Sequence, residues 1–301
     1  MTRTGCGRDC HASFRARTFH PMRDFEAAAD QKERQLSSWL RERGSVVIGF
    51  SGGVDSAYLA CVAVDALGPD RVLAVIGRSA SYPGEQWETA RRVADQFGIP
   101  VAEIDTDELN DPRYAANPAN RCFYCKSELW SRVIPLAREG GYAAVLDGTN
   151  ADDLHDYRPG AAAGAERGVL SPLAILGFTK AEIRERSRAR GIPTWEQPSS
   201  PCLASRLPYG TPVTPERLAQ VERAERAVRS LGVRGEMRVR HHGDLARVEL
   251  PAAELDRWLA PDPSRRLRDV VRAEAGFARV AIDLRGYRSG SLNVLGGVTA
   301  A

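Results

Sequence analysis

The chain has 301 residues, of which 43% are hydrophobic and 27% are charged, as is typical of globular proteins. The formal net charge of +3 is too small to call for a nucleic-acid-binding surface. No apolar run approaches the ~20 residues of a membrane span, and the N-terminus lacks the apolar core of a signal peptide. We therefore expect a cytoplasmic protein with no nucleic-acid or membrane partner. In that compartment its six cysteines are expected to be reduced thiols, metal ligands or catalytic groups in preference to disulfides.

The N-terminal residues 1–21 are rich in arginine and polar residues and show no clear periodicity, which predicts a disordered tail. Cys6 and Cys10 within it lack partners at a matching spacing for a metal site. The apolar spacing of Phe25, Leu36 and Trp39 then predicts an amphipathic helix that leads into a strand at Val46.

A phosphate-binding loop is predicted at residues 51–56, where the sequence SGGVDS separates a short β-branched run from a helical pattern. Backbone N–H groups of such a loop, together with the positive end of the following helix, form an anion site. The loop residues predicted to contact phosphate are Ser51, Gly52, Gly53, Asp55 and Ser56, and Asp55 is also a candidate Mg²⁺ ligand. The loop lacks the Walker A lysine and is not G-x-G-x-x-G, so those two nucleotide folds are excluded.

Strands and helices alternate after this loop. Short apolar runs at residues 71–77, 101–105 and 143–146 predict further strands, and the alternation predicts an α/β fold with a doubly wound parallel sheet. Ligands of such sheets bind at the carboxyl ends of the strands. The residues expected beside the loop on that rim are Ser79, Thr149, Asn150 and Asp152.

Lys180 lies in the first turn of a predicted helix that Thr179 and Glu182 begin as a capping box, and from there it can reach a phosphate. Residues 160–168 are small and predict a mobile segment. From Thr214 onward the pattern is helix, two strands, helix and strand, which predicts a smaller C-terminal α+β domain.

Three cysteines are predicted near the rim: Cys122 and Cys125, which form a C-x₂-C pair, and Cys202. Cys61 lies on the apolar face of a helix and is expected in the core. Structural zinc requires four ligands and iron–sulfur clusters are likewise usually held by four thiolates. Three thiolates would leave one iron open to sulfide or to a substrate sulfur.

The loop SGGVDS resembles the PP-loop of the ATP pyrophosphatases, which split ATP between its α- and β-phosphates. The motifs RCFYCK, DGTNADD, GFTKAEIR, SPCLASRLPYGTPVT, MRVRHHG and GYRSGSLN follow in order. Together they resemble the ATP-dependent sacrificial sulfur transferase (LarE-type) family of nickel-pincer nucleotide biosynthesis, which makes the lactate racemase cofactor. The resemblance implies that ATP and Mg²⁺ adenylate the carboxylates of pyridinium-3,5-biscarboxylic acid mononucleotide and that sulfur then displaces AMP.

Two sulfur sources fit this resemblance. In one, Cys122, Cys125 and Cys202 hold a 4Fe–4S cluster that relays sulfide, which the presence of all three cysteines favours. In the other, Cys202 gives up its own sulfur and becomes dehydroalanine. In both cases the resemblance assigns catalytic roles to Cys202, Asp55 and Ser56.

The resemblance also bears on the substrate and the organisation of the chain. Arg206, Arg238 and Arg240 suit the phosphate or carboxylates of the mononucleotide, because guanidinium groups bind such anions through forked hydrogen bonds. The expected division is a tail at residues 1–21, a PP-loop domain at 22–200 and a sulfur-transfer domain at 201–301. A homo-oligomer, a sulfide-donor protein and a nickel-insertion partner are compatible with it.

Three other functions compete with this assignment. A tRNA-thiolating PP-loop enzyme would call for a dense basic face, for which +3 is modest. Amidation of the NAD- or GMP-synthetase kind gives no role to the three cysteines. A non-catalytic nucleotide-binding protein with a structural metal is the alternative outside the enzymes.

Overall fold

The computed structural model describes residues 21–155, 158–198 and 200–288. Residues 1–20 of the predicted tail, with Cys6 and Cys10, lie outside these ranges. So do Ser199 and the end of the GYRSGSLN motif. Within the described ranges, no helix is long and apolar enough to cross a bilayer.

A four-stranded parallel sheet forms the larger part of the molecule. Its strands are β1 (Val46–Gly49), β2 (Val72–Arg78), β3 (Val101–Asp105) and β4 (Ala144–Leu146), in the spatial order β3-β2-β1-β4. All three pairings are parallel. Because β1 is interior and covered on both faces, its residues form a continuous apolar run instead of an alternating one. The predicted fold class is confirmed.

The described helices are α1 (Pro21–Arg43), α2 (Val54–Leu67), α3 (Gly84–Gln96), α4 (Pro112–Ala115), α5 (Arg121–Glu139), α6 (Pro159–Ala165), α7 (Pro172–Ile175), α8 (Lys180–Ala189), α9 (Pro215–Ser230), α10 (Leu255–Leu259) and α11 (Pro261–Ala275). One face of the sheet packs against α1, α2, α3 and α8, in a core that includes Leu36 and Tyr58. The other face packs against α5 through Trp130 and Val133. Burying each such side chain contributes about 1.5–3 kcal/mol.

A second, smaller sheet lies in the C-terminal part. It contains β5 (Arg238–His242), β6 (Leu245–Glu249) and β7 (Arg279–Ile282), with β5 and β6 antiparallel and β6 and β7 parallel. Its core includes Val228 of α9 and Leu267 of α11, as expected for a small α+β unit. The boundary near residue 200 stays a prediction, since Leu203 belongs to a cluster that holds Tyr114 from one side of it and Leu218 from the other.

Candidate active site

The phosphate loop follows β1 directly and runs into the first turn of α2, with Gly53 as the helix N-cap. Ser56 is buried and closes the loop on itself. Its Oγ donates to the Gly53 carbonyl (3.2 Å), accepts from the Ser51 N–H (3.3 Å) and lies 3.2 Å from Ser51 Oγ. Ser51 itself is exposed. Ser56 therefore stabilises the loop conformation through its own hydrogen bonds. The motif alone did not indicate this structural role.

Gly52 is fixed by two constraints. Its φ of +68° lies in the left-handed region, which L side chains rarely adopt. A Cβ at this position would lie 2.6 Å from Ala90 Cβ and 2.7 Å from Ala90 Cα of α3. Only glycine fits, and the loop backbone is thereby pressed against α3.

Asp55 meets residues from two other elements on this rim. Its carboxylate forms an ion pair with Lys180 Nζ in the first turn of α8 and accepts from Asn150 Nδ2 at 3.4 Å. The Lys180 backbone N–H donates to Asp152 Oδ2 (2.8 Å). Four of the predicted residues are therefore in one cluster, with carboxylate and amide oxygens of the kind that Mg²⁺ prefers.

Asp153 stabilises this cluster from within the loop that follows β4. It accepts from the Asn150 N–H (3.2 Å) and pairs with Arg158 (2.8 Å). Burial raises the pKa of Asp153, and the Arg158 charge opposes that shift. A carboxylate in this position would gain from a nearby cation, which fits a metal at Asp55.

Ser79 directly follows β2, and Thr149 lies three residues after the end of β4. Ser79 Oγ accepts from the Ser81 N–H (3.1 Å), and the Thr149 N–H donates to Asp147 Oδ1 (3.0 Å). The Ser79 segment is fastened to the phosphate loop, because Tyr82 Oη donates to the Ser51 carbonyl (3.0 Å).

The three predicted thiols come from two segments. Cys122 and Cys125 lie in the first turns of α5, and Cys202 immediately precedes a short 3₁₀ turn, Leu203–Arg206. All three are free, with Cys122 exposed and the other two half-buried. Burial raises the pKa of the Cys125 thiol, and the nearby Glu108 and Cys202 raise it further. Within the described ranges, no three Cys, His, Asp or Glu side chains converge tightly enough to hold a metal ion.

Two buried charged residues that sequence reasoning missed influence the pKa values of these thiols, Glu108 that of Cys125 and Arg121 that of Cys122. Glu108 is 2% exposed, and neither carboxylate oxygen has a hydrogen-bond partner among the described residues. Arg121 is 5% exposed and donates to Asn117 Oδ1 (2.8 Å), and its Nε has no hydrogen-bond partner in the part of the chain that the structure describes. Burial alone would lower the pKa of Arg121, but Cys202 and Cys122 raise it overall. Arg121 could have been identified from the sequence, because it directly precedes Cys122. Nothing in the sequence singles out Glu108.

Two of the three predicted substrate arginines form ion pairs with glutamates of the protein. Arg206 forks onto Glu225 with two bonds of 2.9 Å and donates to the Pro201 carbonyl (2.6 Å). Arg240 binds Glu249 Oε2 (2.9 and 2.8 Å) and donates to the Ser205 carbonyl (3.1 Å). Both therefore brace the segment that carries Cys202.

Arg238, the third, is buried beside Tyr287, with its guanidinium 5.0 Å from the ring centroid. It donates to the Met237 carbonyl (2.7 Å). Burial, and next the positive charge of Arg206, lower the pKa of Arg238. The nearby Tyr287, Glu225 and Glu236 oppose that shift.

Comparison with known proteins identifies the family. A family model described as NAD synthase matches residues 30–118, which include the phosphate loop. A pyridinium-3,5-bisthiocarboxylic acid mononucleotide synthase from Lactiplantibacillus plantarum is 37% identical over 264 residues, covering 87% of this chain and 94% of its own. The chain belongs to the pyridinium-3,5-bisthiocarboxylic acid mononucleotide synthase family. The predicted ATP-dependent enzyme of the PP-loop class is thereby confirmed.

Two other relatives differ in how much of the chain they match. A Synechocystis protein of unknown activity is 43% identical over 264 residues, 88% of this chain and 97% of its own. A glutamine-dependent NAD(+) synthetase from Aquifex aeolicus is 35% identical over only 98 residues, 32% of this chain and 17% of its own. The likeness to that NAD synthetase is thus partial, whereas the likeness to the synthase family extends over most of the chain.

In this synthase-family chain the phosphate rim and the thiol segment adjoin. The Leu203 N–H, next to Cys202, donates to the Ser81 carbonyl (2.8 Å), and Ser81 Oγ lies 2.6 Å from Tyr114 Oη. Since Tyr82 binds the loop at Ser51, a short series of contacts joins the loop to Cys202.

Proposed function

We propose that this enzyme adenylates the carboxylates of pyridinium-3,5-biscarboxylic acid mononucleotide and converts them into thiocarboxylates. A carboxylate oxygen attacks the α-phosphorus of ATP, so that an acyl-adenylate forms and pyrophosphate leaves. A sulfur nucleophile then attacks the acyl carbon, and AMP leaves with the bonding electrons. The observation that carries this proposal is the backbone hydrogen bond between Leu203 and Ser81, which holds the Cys202 segment against the phosphate rim.

The phosphate rim supplies the groups for the first step. The amides of residues 51–56 and the N-terminus of α2 face the pyrophosphate portion of ATP, where backbone dipoles favour anions. Asp55, with the Asn150 side chain beside it, holds Mg²⁺, and Lys180 moves from Asp55 to the phosphates. Ser79 and its neighbours contact adenine through their backbone.

Cys122, Cys125 and Cys202 hold a 4Fe–4S cluster in this proposal, which when bound supplies a site for exchangeable sulfide. Two considerations support it. The donors are all thiols, the ligand type that iron–sulfur clusters take. Cys202 and Cys122 both influence the pKa of Cys125, so the three side chains lie near one another, and a structural zinc would need a fourth ligand.

The mononucleotide binds between the rim and the second sheet, with Arg238 facing its phosphate or a carboxylate. Arg206 and Arg240 position the Cys202 segment through the Pro201 and Ser205 carbonyls. A cytoplasmic location, a homo-oligomer and partners that donate sulfide or insert nickel remain predictions.

The experiment is anaerobic turnover of the iron- and sulfide-reconstituted enzyme with ATP and the biscarboxylic mononucleotide, followed by mass spectrometry of products and protein. We expect AMP, pyrophosphate and thiocarboxylate in equal amounts for each carboxylate converted. Release of ADP and phosphate would contradict adenylation. Asp55→Asn is the matched inactive control, since it keeps the shape of the side chain but not its charge.

A further inference from the structure

The carbonyl oxygen of Ser51, in the phosphate loop, accepts two hydrogen bonds. Tyr82 Oη donates to it at 3.0 Å and Gln86 Nε2 at 2.9 Å. Because a carbonyl oxygen has two lone pairs, these donors occupy both and fix the plane of the peptide that joins Ser51 to Gly52. That peptide is trans, and in a trans peptide the N–H points opposite to the C=O. The Gly52 N–H is therefore directed away from Tyr82 and Gln86.

The Gly52 N–H differs from the amides on either side of it. The Ser51 N–H donates to Ser56 Oγ (3.3 Å), and the Gly53 N–H donates to Ser51 Oγ (3.4 Å). Among the described residues, no protein acceptor takes the Gly52 N–H. Unpaired N–H groups just before a helix are donors for phosphate. Gly52 thus presents an available donor whose direction the Ser51 carbonyl sets.

Gln86 is buried and has a fixed orientation. It lies in the first turn of α3 and is 5% exposed. Gln197 Nε2 donates to Gln86 Oε1 at 3.0 Å, so the amide of Gln86 can turn only its Nε2 towards Ser51. Gln197 is held in turn by Arg184 of α8, which donates to the Gln197 carbonyl at 2.9 Å. The protein itself therefore decides which end of the Gln86 amide meets the loop.

We propose that Gln86 is a positioning residue for the adenylation step. By holding the Ser51 carbonyl it directs the Gly52 N–H at the phosphates of ATP, and Gln197 keeps Gln86 in the orientation that this requires. Gln86 itself does not contact the nucleotide. The inference rests on the proposed function, because it presumes that the phosphates of ATP bind at this loop. Glycine gives the backbone at residue 52 unusual freedom, so the peptide needs an external hydrogen bond to keep its direction.

Binding measurements test the role of Gln86. Calorimetry in the presence of Mg²⁺ compares a non-hydrolysable ATP analogue with adenosine, which lacks phosphate. We expect Gln86→Met to weaken binding of the analogue about tenfold, the upper range for one hydrogen bond, and to leave adenosine binding unchanged. Gln197→Met should weaken the analogue roughly threefold, since it removes only the group that orients Gln86. Gln96→Met is the matched control, because Gln96 is exposed at the other end of α3.

Two outcomes of these measurements overturn the proposal. One is equal affinity for the analogue in Gln86→Met and Gln96→Met. The other is an equal loss of adenosine and analogue binding in Gln86→Met, which would mean that Gln86 only supports the fold.

The amide of Gly52 provides a direct readout. The sequence contains two Ser–Gly pairs, at residues 51–52 and 289–290. Cell-free synthesis with carbonyl-¹³C serine and ¹⁵N glycine therefore yields two signals in a spectrum that selects ¹³C–¹⁵N peptides, and Ser289→Ala identifies that of Gly52. The analogue should move the Gly52 proton signal downfield in the wild type and in Gln96→Met, and leave it largely unmoved in Gln86→Met. A signal that moves equally in Gln86→Met, or not at all in the wild type, overturns the proposal.

The same data separate this proposal from the proposed function. A wild type that binds the analogue no better than adenosine refutes the phosphate site, and the role of Gln86 with it. A wild type that gains affinity from the phosphates, with Gln86→Met gaining as much, refutes the role of Gln86 alone.

Discussion

Lys180 and Asp55 form an ion pair although 125 residues separate them in the sequence. The pair joins the first turn of α8 to the first turn of α2. In it, the Lys180 charge neutralises the carboxylate proposed to bind Mg²⁺, and the Asp55 charge neutralises the ammonium group proposed to bind phosphate. Their side chains are 36% and 22% exposed, and an ion pair so accessible to water contributes at most about 1 kcal/mol. Mg²⁺ and ATP can therefore separate the two at little cost.

Lys180→Ala should weaken ATP binding and leave folding nearly unchanged. Loss of a charge-assisted hydrogen bond to phosphate costs about 2 kcal/mol, roughly thirtyfold in affinity. Titration calorimetry with a non-hydrolysable ATP analogue measures the binding, and urea unfolding measures the stability.

Lys32→Ala is the control for that prediction. Lys32 pairs with Glu182 and donates to the Gly177 carbonyl (2.8 and 2.7 Å), so its loss should lower stability but not ATP affinity. If Lys32→Ala and Lys180→Ala weaken ATP equally, Lys180 has no direct contact with phosphate.

Gly52→Ala should destabilise the fold, whereas Gly53→Ala should not. The first substitution combines a φ of +68° with a contact of 2.6 Å to Ala90, and such backbone strain costs of order 1–3 kcal/mol before the clash is counted. Gly53 has φ −75°, and its nearest neighbour for an added Cβ is Ser51 Oγ at 3.5 Å. Urea unfolding of both variants checks this. If both substitutions lower the free energy of unfolding equally, glycine is required by the loop conformation and not by the contact with α3.

The elements that sequence reasoning found were those with local signals. The loop at residues 51–56 and the capping box of Thr179 and Glu182 depend on residues a few positions apart, and the structure has both. Residues 160–168 gave no such signal. Part of that run is helical, in α6, with Ala163 and Gly164 buried, because small residues allow close packing that their composition does not reveal.

Partners distant in sequence were the ones missed. Arg206 and Arg240 were visible in the sequence as candidate anion-binding residues, but Glu225 and Glu249, which bind them, were not. The same holds for Glu33 of α1, which binds Arg186 and Arg190 of the α8 region across more than 150 residues. Such pairs arise from tertiary packing, and a single sequence gives no measure of it.

Glu33 should make the protein sensitive to acid. Burial alone would raise the pKa of this carboxyl, but hydrogen bonds from Arg186 and Arg190 lower it from 4.5 to about 2. A lowered pKa adds stability above pH 4.5, and that stability is lost as pH falls towards 2. The shift corresponds to about 3 kcal/mol.

Urea unfolding of the wild type and of Glu33→Gln between pH 3 and pH 7 checks this prediction. The variant should be less stable at pH 7, because Arg186 and Arg190 lose their partner, and its stability should depend less on pH below 4.5. The exposed Glu26→Gln should match the wild type throughout. An unchanged acid slope in Glu33→Gln would assign the acid sensitivity to other groups.

Arg238→Ala should weaken binding of the mononucleotide more than binding of ATP. Removal of one charge-assisted hydrogen bond costs about 2 kcal/mol, roughly thirtyfold in affinity. Calorimetry with each ligand measures the difference, and Arg234→Ala, an exposed arginine four residues earlier, is the control. Equal losses for both ligands would place Arg238 outside the substrate site.

The last prediction separates the two sulfur sources. If Cys122, Cys125 and Cys202 hold a cluster together, alanine at any one of them should remove most of the iron and all sulfur transfer. Adenylation should largely survive, since the phosphate loop is a separate structure. Cys61→Ala is the matched control, because Cys61 is a buried thiol of α2 whose pKa burial raises to about 12; it should keep its iron.

If Cys202 instead gives up its own sulfur, Cys122→Ala should still complete one turnover. The wild-type polypeptide should then lose one H₂S, roughly 34 Da by the stoichiometry of thiol elimination. Iron analysis and intact-protein mass spectrometry before and after turnover decide between the two. Repeated turnover with added sulfide at constant polypeptide mass supports the cluster, because a side chain that surrenders its only sulfur cannot act twice.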